Sequence, residues 1–183
     1  MRALRYGGMM GHNSEDKIIL EPGGDAVLKH KKDTLRLLLF SLGSETYGVE
    51  VGSLREVVTV PQITAVPHAP GFVIGVFNLR GKITALLDIR SFFGLETGSV
   101  LREARIIVVD YQGSGVGILV DAINDTIEVE KKLIEPVLPT LKQELADYTV
   151  GHIEYAGDII VILSLAKVLK CEAVEKLRSG GGI

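Results

Sequence analysis

The chain has 183 residues, 46% of them hydrophobic, and a formal charge of −3 at neutral pH, which suits one domain or two small ones with a real core. That charge leaves no electrostatic footprint for nucleic acid or an anionic membrane, no apolar run approaches a bilayer span, and no signal-peptide apolar segment is read at the N-terminus. The single cysteine, Cys171, cannot form an internal disulfide and fits a reducing compartment, so a cytosolic protein is the expectation.

Residues 1–32 read as a flexible arm. Gly7-Gly-Met-Met-Gly11, Asn13-Ser14 and Pro22-Gly23-Gly24 are coil and turn signals. Within the arm, Lys17 to Leu20 and Ala26 to Leu28 carry enough β propensity for two scraps of strand, which a turn at Pro22-Gly23-Gly24 can join. Order is expected from about Leu35. Leu35 to Leu42 reads as a buried strand, Gly43-Ser44-Glu45 as a turn and Thr46 to Val51 as a second strand, together a hairpin. Leu54 to Val60 reads as a third strand, and Pro61, Pro67 and Pro70 punctuate the loop that follows.

The most informative stretch runs from Gly75 to Gly94. Val76 and Phe77 are strand formers, and Asn78-Leu79-Arg80-Gly81 has turn chemistry, with Asn78 tolerant of unusual backbone angles and Gly81 free to take positive φ. Lys82 to Leu87 reads as the returning strand. Asp88 is a plausible helix N-cap, Ile89, Phe92 and Phe93 lie on one face of a short helix, and Gly94 can end that helix.

The stretch recurs. Gly151-His-Ile-Glu-Tyr-Ala-Gly157 repeats Gly75 to Gly81 at an offset of 76, with Ser164 in the place of Asp88 and Leu165, Val168 and Leu169 in the places of Ile89, Phe92 and Phe93. Arg105-Ile-Ile-Val-Val109 repeats Arg36-Leu-Leu-Leu-Phe40, and Gly117, Val120 and Ile123 repeat Gly48, Val51 and Leu54, at an offset of 69. About seven extra residues are therefore expected in the second copy, within Leu133 to Leu145, with Leu95 to Glu103 as the hinge between copies. A mainly β fold follows: two tandem five-stranded small β-barrels, the first about 35–94 and the second about 104–163, with short helices and a C-terminal helix over 164–178. The whole spans 33–178, followed by a flexible tail at 179–183. The turns differ in equipment: Asn78 and Arg80 in one copy, Glu154 and Ala156 in the other.

Catalytic patterns are weak. Gly113-Ser-Gly115-Val-Gly117 precedes a strand and not the helix that a dinucleotide loop needs, so it reads as a hairpin turn. Gly75 to Lys82 falls short of a P-loop, because Ile83 stands where Ser or Thr is required. His12, His30, His68, His152 and Cys171 do not pair at metal-ligand spacing. Asp121 and Asp125 read as solvated turn carboxylates, and Cys171 as a packing or surface residue. The pattern favours a binding module over an enzyme, with no metal and no cofactor.

Gly75-Val-Phe-Asn-Leu-Arg-Gly81, followed by Leu86-Leu-Asp-Ile-Arg90 and Phe93-Gly94, resembles the signature of the CheW family, the adaptors of bacterial chemotaxis. Phe40-Ser-Leu-Gly43, Glu45-Thr-Tyr47-Gly48-Val49, Arg55-Glu-Val57, Gly117-Ile-Leu-Val-Asp121 and Ile162-Leu-Ser-Leu-Ala-Lys167 agree with it in order, over roughly Leu35 to Lys170. The resemblance implies two barrels of the small Src-homology type and a non-enzymatic coupler in the cytoplasm. Such a coupler joins the cytoplasmic tip of a transmembrane chemoreceptor to the regulatory domain of the histidine kinase CheA, in arrays at the inner face of the membrane. Carried over residue by residue, it places receptor contacts at Leu54, Glu56, Gly75, Arg80 and Ile123, and kinase contacts on edge strands. Two features depart from the family pattern: the long arm, and Ala85 where proline is usual. A regulatory module of a related two-component system is the alternative. A fragment or relative of the kinase is the less expected reading, since 183 residues leave no room for an ATP-binding or a phosphoacceptor domain, and nothing reads as an alternating βα receiver domain.

Overall fold

The computed structural model describes residues 17–20, 26–29, 33–96 and 102–170, and the chain divides into two units, Met1–Asp33 and Thr34–Ile183. In the first, strands β1 (Lys17–Leu20) and β2 (Ala26–Lys29) pair antiparallel from Lys17 opposite Lys29 to Leu20 opposite Ala26. The two scraps of strand expected in the arm thus form a hairpin.

The second unit is mainly β. Its strands are β3 (Thr34–Leu42), β4 (Glu45–Glu50), β5 (Leu54–Thr59), β6 (Val73–Leu79), β7 (Lys82–Leu87), β8 (Arg105–Tyr111), β9 (Ser114–Val120), β10 (Ala122–Glu130), β11 (Thr149–Tyr155) and β12 (Asp158–Leu163). Helix α1 spans Gln143–Ala146 and α2 spans Leu165–Leu169. The rest of the C-terminal helix expected over 164–178, the tail at 179–183, Cys171 and part of the hinge lie outside the described residues. Among the described residues no helix is long and apolar enough to cross a membrane.

There are two five-stranded sheets, ordered β10-β3-β4-β12-β11 and β5-β8-β9-β7-β6. The repeat was expected to close each barrel from its own copy, 35–94 and 104–163. The sheets are drawn differently: each takes the first two strands of one copy and the last three of the other. The exchange takes place at two short connections. Only the one-turn 3-10 segment Val51–Ser53 separates β4 from β5, and only Asp121 separates β9 from β10. At both links the chain leaves one sheet and enters the other. Pseudo-symmetry survives the exchange. The parallel pair Ala85–Val116, Leu86–Gly117, Leu87–Ile118 is matched by Val161–Tyr47, Ile162–Gly48, Leu163–Val49. The sheets are open: among the described residues no ladder joins β10 to β11 or β5 to β6.

The exchange explains why several strands are apolar without alternation. In β3, Leu37 and Leu39 join one cluster while Leu38, Phe40 and Leu42 join another; in β8, Ile106 and Val108 part in the same way from Ile107, Val109 and Tyr111. Each sheet encloses its own small core. The larger third cluster fills the space between the sheets, with Tyr47, Val161 and Leu163 from one and Leu87, Ile118 and Val120 from the other.

A strap crosses the outer strand of each sheet. Thr64 exchanges two backbone hydrogen bonds of 2.8 Å with Val76, and Glu135 does the same with His152 at 2.9 and 3.0 Å. Glycine permits this. A Cβ on Gly75 would lie 2.4 Å from the Thr64 carbonyl oxygen, and one on Gly151 equally 2.4 Å from that of Glu135. The offset between copies is 71 at Thr64 and Glu135 and 76 at Val76 and His152, so five of the seven extra residues lie past Glu135, where α1 forms.

Candidate protein-docking site

The β6–β7 connection is a two-residue hairpin turn, Arg80-Gly81, with φ of 52° and 85°. Asn78 keeps its ordinary strand geometry, and its side-chain oxygen accepts the Gly81 N–H at 2.7 Å. The left-handed position expected for Asn78 belongs to Arg80. A left-handed side-chain-bearing residue costs about 1 kcal/mol or more, and Ala156 accepts the same cost at φ 54° in the matching turn. The backbone therefore does not require an arginine at this position.

The guanidinium has a specific partner. Arg80 Nη2 donates to Glu56 Oε2 at 2.8 Å, with the arginine side chain 78% exposed and the glutamate 19%. Glu56 stands on β5 just after a register shift between Leu54 and Glu56, and β10 carries the same shift between Ile123 and Asp125. In each copy this bulge re-aims the strand, and its unpaired residues are Arg55 and Asn124. Around the ion pair lies a recess of about 230 Å³ lined by Arg55, Glu56, Arg80, Lys82, Ile83 and the Gly113–Gly115 backbone. Ile83 is 74% exposed on its rim.

The five expected contact residues are distributed as follows. Glu56 and Arg80 meet at this recess. Leu54 and Ile123 occupy matching positions on different sheets, opposite Val109 and Phe40, and both lie half-buried against the cluster that fills the space between the sheets. Gly75 is buried beneath the Thr64 strap, so the close approach it permits is made by the chain itself. The sequence reading passed over Arg55, Lys82 and Ile83. In sequence they are only neighbours of Glu56 and of the turn; the fold brings them to one recess.

A second polar group lies inside. Arg90 is 4% exposed, Asp88 5% and Asp121 7%. Arg90 donates from Nε and Nη2 to the two oxygens of Asp88, each at 2.9 Å, and from Nη1 to Asp121 at 3.3 Å. Asp121 also accepts the Gly43 N–H at 2.7 Å. Asp121 is thus not the solvated turn carboxylate expected, whereas Asp125 is exposed. The helix expected after an Asp88 N-cap is instead a 3-10 turn, Arg90–Phe93, whose N-cap is Ile89 without a side-chain cap and which Gly94 ends at φ 67°; Asp88, one residue earlier, accepts the Arg90 N–H at 3.0 Å. Its counterpart Ser164 caps α2 by accepting the Lys167 N–H at 3.3 Å. The hydrogen bond that Arg90 donates to Asp88, ahead of the charges of Asp88 and Asp121, holds the guanidinium protonated against the opposing effect of burial. These carboxylates are committed to the scaffold.

A family model described as a CheW-like domain matches residues 36–173. The chain belongs to the CheW family. Chemotaxis protein CheW of Helicobacter pylori is 30% identical over 139 residues, covering 76% of this chain and 84% of the relative. Protein PilI of Pseudomonas aeruginosa is 26% identical over 112 residues, 61% of this chain and 63% of that one. Among solved structures, the scaffolding protein TtCheW from Thermoanaerobacter tengcongensis superposes with a TM-score of 0.68 at 31% identity, covering 76% of this chain and 90% of that one.

Proposed function

We propose that this chain is a non-enzymatic chemotaxis adaptor that couples the cytoplasmic tips of transmembrane chemoreceptors to the histidine kinase CheA. The observation that carries the reading is the Glu56–Arg80 pair. The turn holding Arg80 is built equally well around Ala156 in the other copy, so the arginine serves something other than the fold. Kinship with CheW proteins and with a protein described as a scaffold supports the same reading. Receptor contact is assigned to Glu56 and Arg80 at the recess and to Leu54 and Ile123 at the margin of the central cluster. The CheA regulatory domain is assigned to the outer strands, of which β5 and β10 carry no strap. The adaptor would work in the cytoplasm, held at the inner face of the membrane through the receptors.

The test is reconstitution. The purified chain should hydrolyse no ATP and transfer no phosphate. Added to CheA it should stimulate autophosphorylation only when receptor-containing membranes are also present. Intrinsic turnover, or stimulation indifferent to receptor, would overturn the proposal. A second reading, a module of a related two-component system, draws on the similarity to Protein PilI. It predicts coupling to a CheA-like kinase of another pathway in the same cell in preference to the chemotaxis kinase.

A further inference from the structure

The two copies place equivalent surface positions on both sheets and give the two sets opposite charge. On one sheet the positions are Arg55, Glu56, Arg80 and Lys82; at the matching places on the other stand Asn124, Asp125, Ala156 and Asp158. The correspondence is set by the shared bulges on β5 and β10 and by the matched turns of the two outer hairpins. Each rim also bears an exposed isoleucine at the same position, Ile83 at 74% and Ile159 at 56%. The scaffold and the apolar contact are duplicated, and the charge is inverted.

On the cationic side, three basic residues surround one carboxylate, and that carboxylate is engaged by Arg80. The ion pair uses Nη2 of Arg80, and a guanidinium has further N–H donors on Nε and Nη1. Arg55 reaches the start of β9, its Nη1 3.7 Å from where a Cβ on Gly115 would sit, which is ordinary van der Waals distance. In a chain of net charge −3 this recess is a local concentration of positive charge.

We infer that Arg55, Lys82 and the unengaged edge of Arg80 form a docking site for carboxylate side chains on an acidic, amphipathic helical face of the receptor tip, with Ile83 taking that helix's adjacent apolar residue. The inference rests on the receptor reading above and adds the chemistry of the contact. It also assigns one site per chain, because Asp125 and Asp158 repel the same acidic face at the matching place. Charge of this kind sets orientation and association rate, and salt weakens it.

The experiment is titration of the full chain with a soluble receptor cytoplasmic fragment, at low ionic strength and at about 1 M salt, where the screening length shrinks to about 3 Å. Wild type should bind one fragment tip per chain and weaken as salt rises. The double variant Arg55→Gln/Lys82→Gln should bind about tenfold more weakly at low salt, should lose most of the salt dependence, and should keep its circular dichroism spectrum. Asp125→Asn/Asp158→Asn should bind as wild type does. If wild type fails to bind the fragment, the receptor reading falls and this inference with it. If wild type binds and Arg55→Gln/Lys82→Gln matches it in affinity and salt response, the inference alone falls. A loss confined to the kinase regulatory domain, or to self-association seen by sedimentation, overturns the assigned occupant.

Discussion

Arg90 reaches Asp121, 31 residues on, at 3.3 Å, and through it the turn between β3 and β4, whose Gly43 N–H Asp121 accepts. Asp121 is the single residue on which the chain crosses from β9 in one sheet to β10 in the other, so the buried guanidinium ties down a crossover between sheets. Removing it would leave Asp88 and Asp121 buried without their cation. Arg90→Met should destabilise the protein by about 3–5 kcal/mol, whereas Asp121→Asn, which keeps an acceptor for Gly43, should cost less. Urea unfolding followed by circular dichroism measures both. A loss under about 1 kcal/mol for Arg90→Met would show that the network contributes little.

The straps give a second prediction. A methyl on Gly75 must displace the Thr64 carbonyl, and one on Gly151 that of Glu135. Gly75→Ala and Gly151→Ala should each lower stability by about 1–3 kcal/mol and expose the Val76 or His152 amide to hydrogen exchange. Gly71→Ala, where a Cβ meets nothing within 4 Å, is the control and should change little. Equal effects at all three positions would contradict the strap argument.

For Arg80 the stability expectation is the opposite. The Glu56–Arg80 pair is exposed on the arginine side, and such pairs contribute about 0–1 kcal/mol. Arg80→Glu should therefore melt close to wild type while abolishing receptor-dependent kinase stimulation. The reciprocal double variant Glu56→Arg/Arg80→Glu restores an ion pair but reverses its polarity. It should fold and remain uncoupled if the receptor reads the arginine itself. Restored coupling would mean that only the pairing matters, and an unfolded Arg80→Glu would return the residue to a structural role.

Leu54 and Ile123 are half-buried against one cluster from two different sheets. If a receptor helix lays its apolar stripe along that margin, both amides should shift together when the receptor fragment is titrated into labelled protein. Shifts at Leu54 without Ile123 would confine the contact to one sheet.

The strands were legible because their apolar runs and turn residues are local, and because the repeat reported each of them twice. What escaped was pairing across sequence distance. A repeat states which residues are equivalent and is silent on which sheet each strand joins; the crossings at Val51–Ser53 and Asp121 show only in the structure. Asp121 was misread for the same reason, since its cation is remote in sequence and its burial follows from the crossover. At the proposed docking site, motif and asymmetry pointed to Glu56 and Arg80, whereas Arg55 and Lys82 gain meaning only once β5 and the β6–β7 turn share one recess. Asn78 drew the unusual backbone angle because asparagine tolerates it; a two-residue turn moved that angle to Arg80.

Tyr47 provides a test in alkaline solution. It is 1% exposed, and its hydroxyl donates to Glu45 at 3.0 Å. Burial, and after it the Glu45 carboxylate, raise the phenol far above its ordinary value. In the unfolded chain Tyr47 ionises near pH 10. Below about pH 10 both states hold the proton and the native contact contributes fully. Above it the unfolded state releases the proton while the folded state retains it, so stability falls as pH rises, by about 1.4 kcal/mol for each further pH unit from this one residue. Tyr47→Phe removes the hydroxyl and its titration. At about pH 9 it should be less stable than wild type by about 0.5–1.5 kcal/mol, for the lost hydrogen bond. By about pH 11 the difference should have closed or reversed. Urea midpoints of the two proteins across that range decide it: converging curves locate the linkage at Tyr47, and parallel curves would mean that its hydroxyl titrates alike in both states.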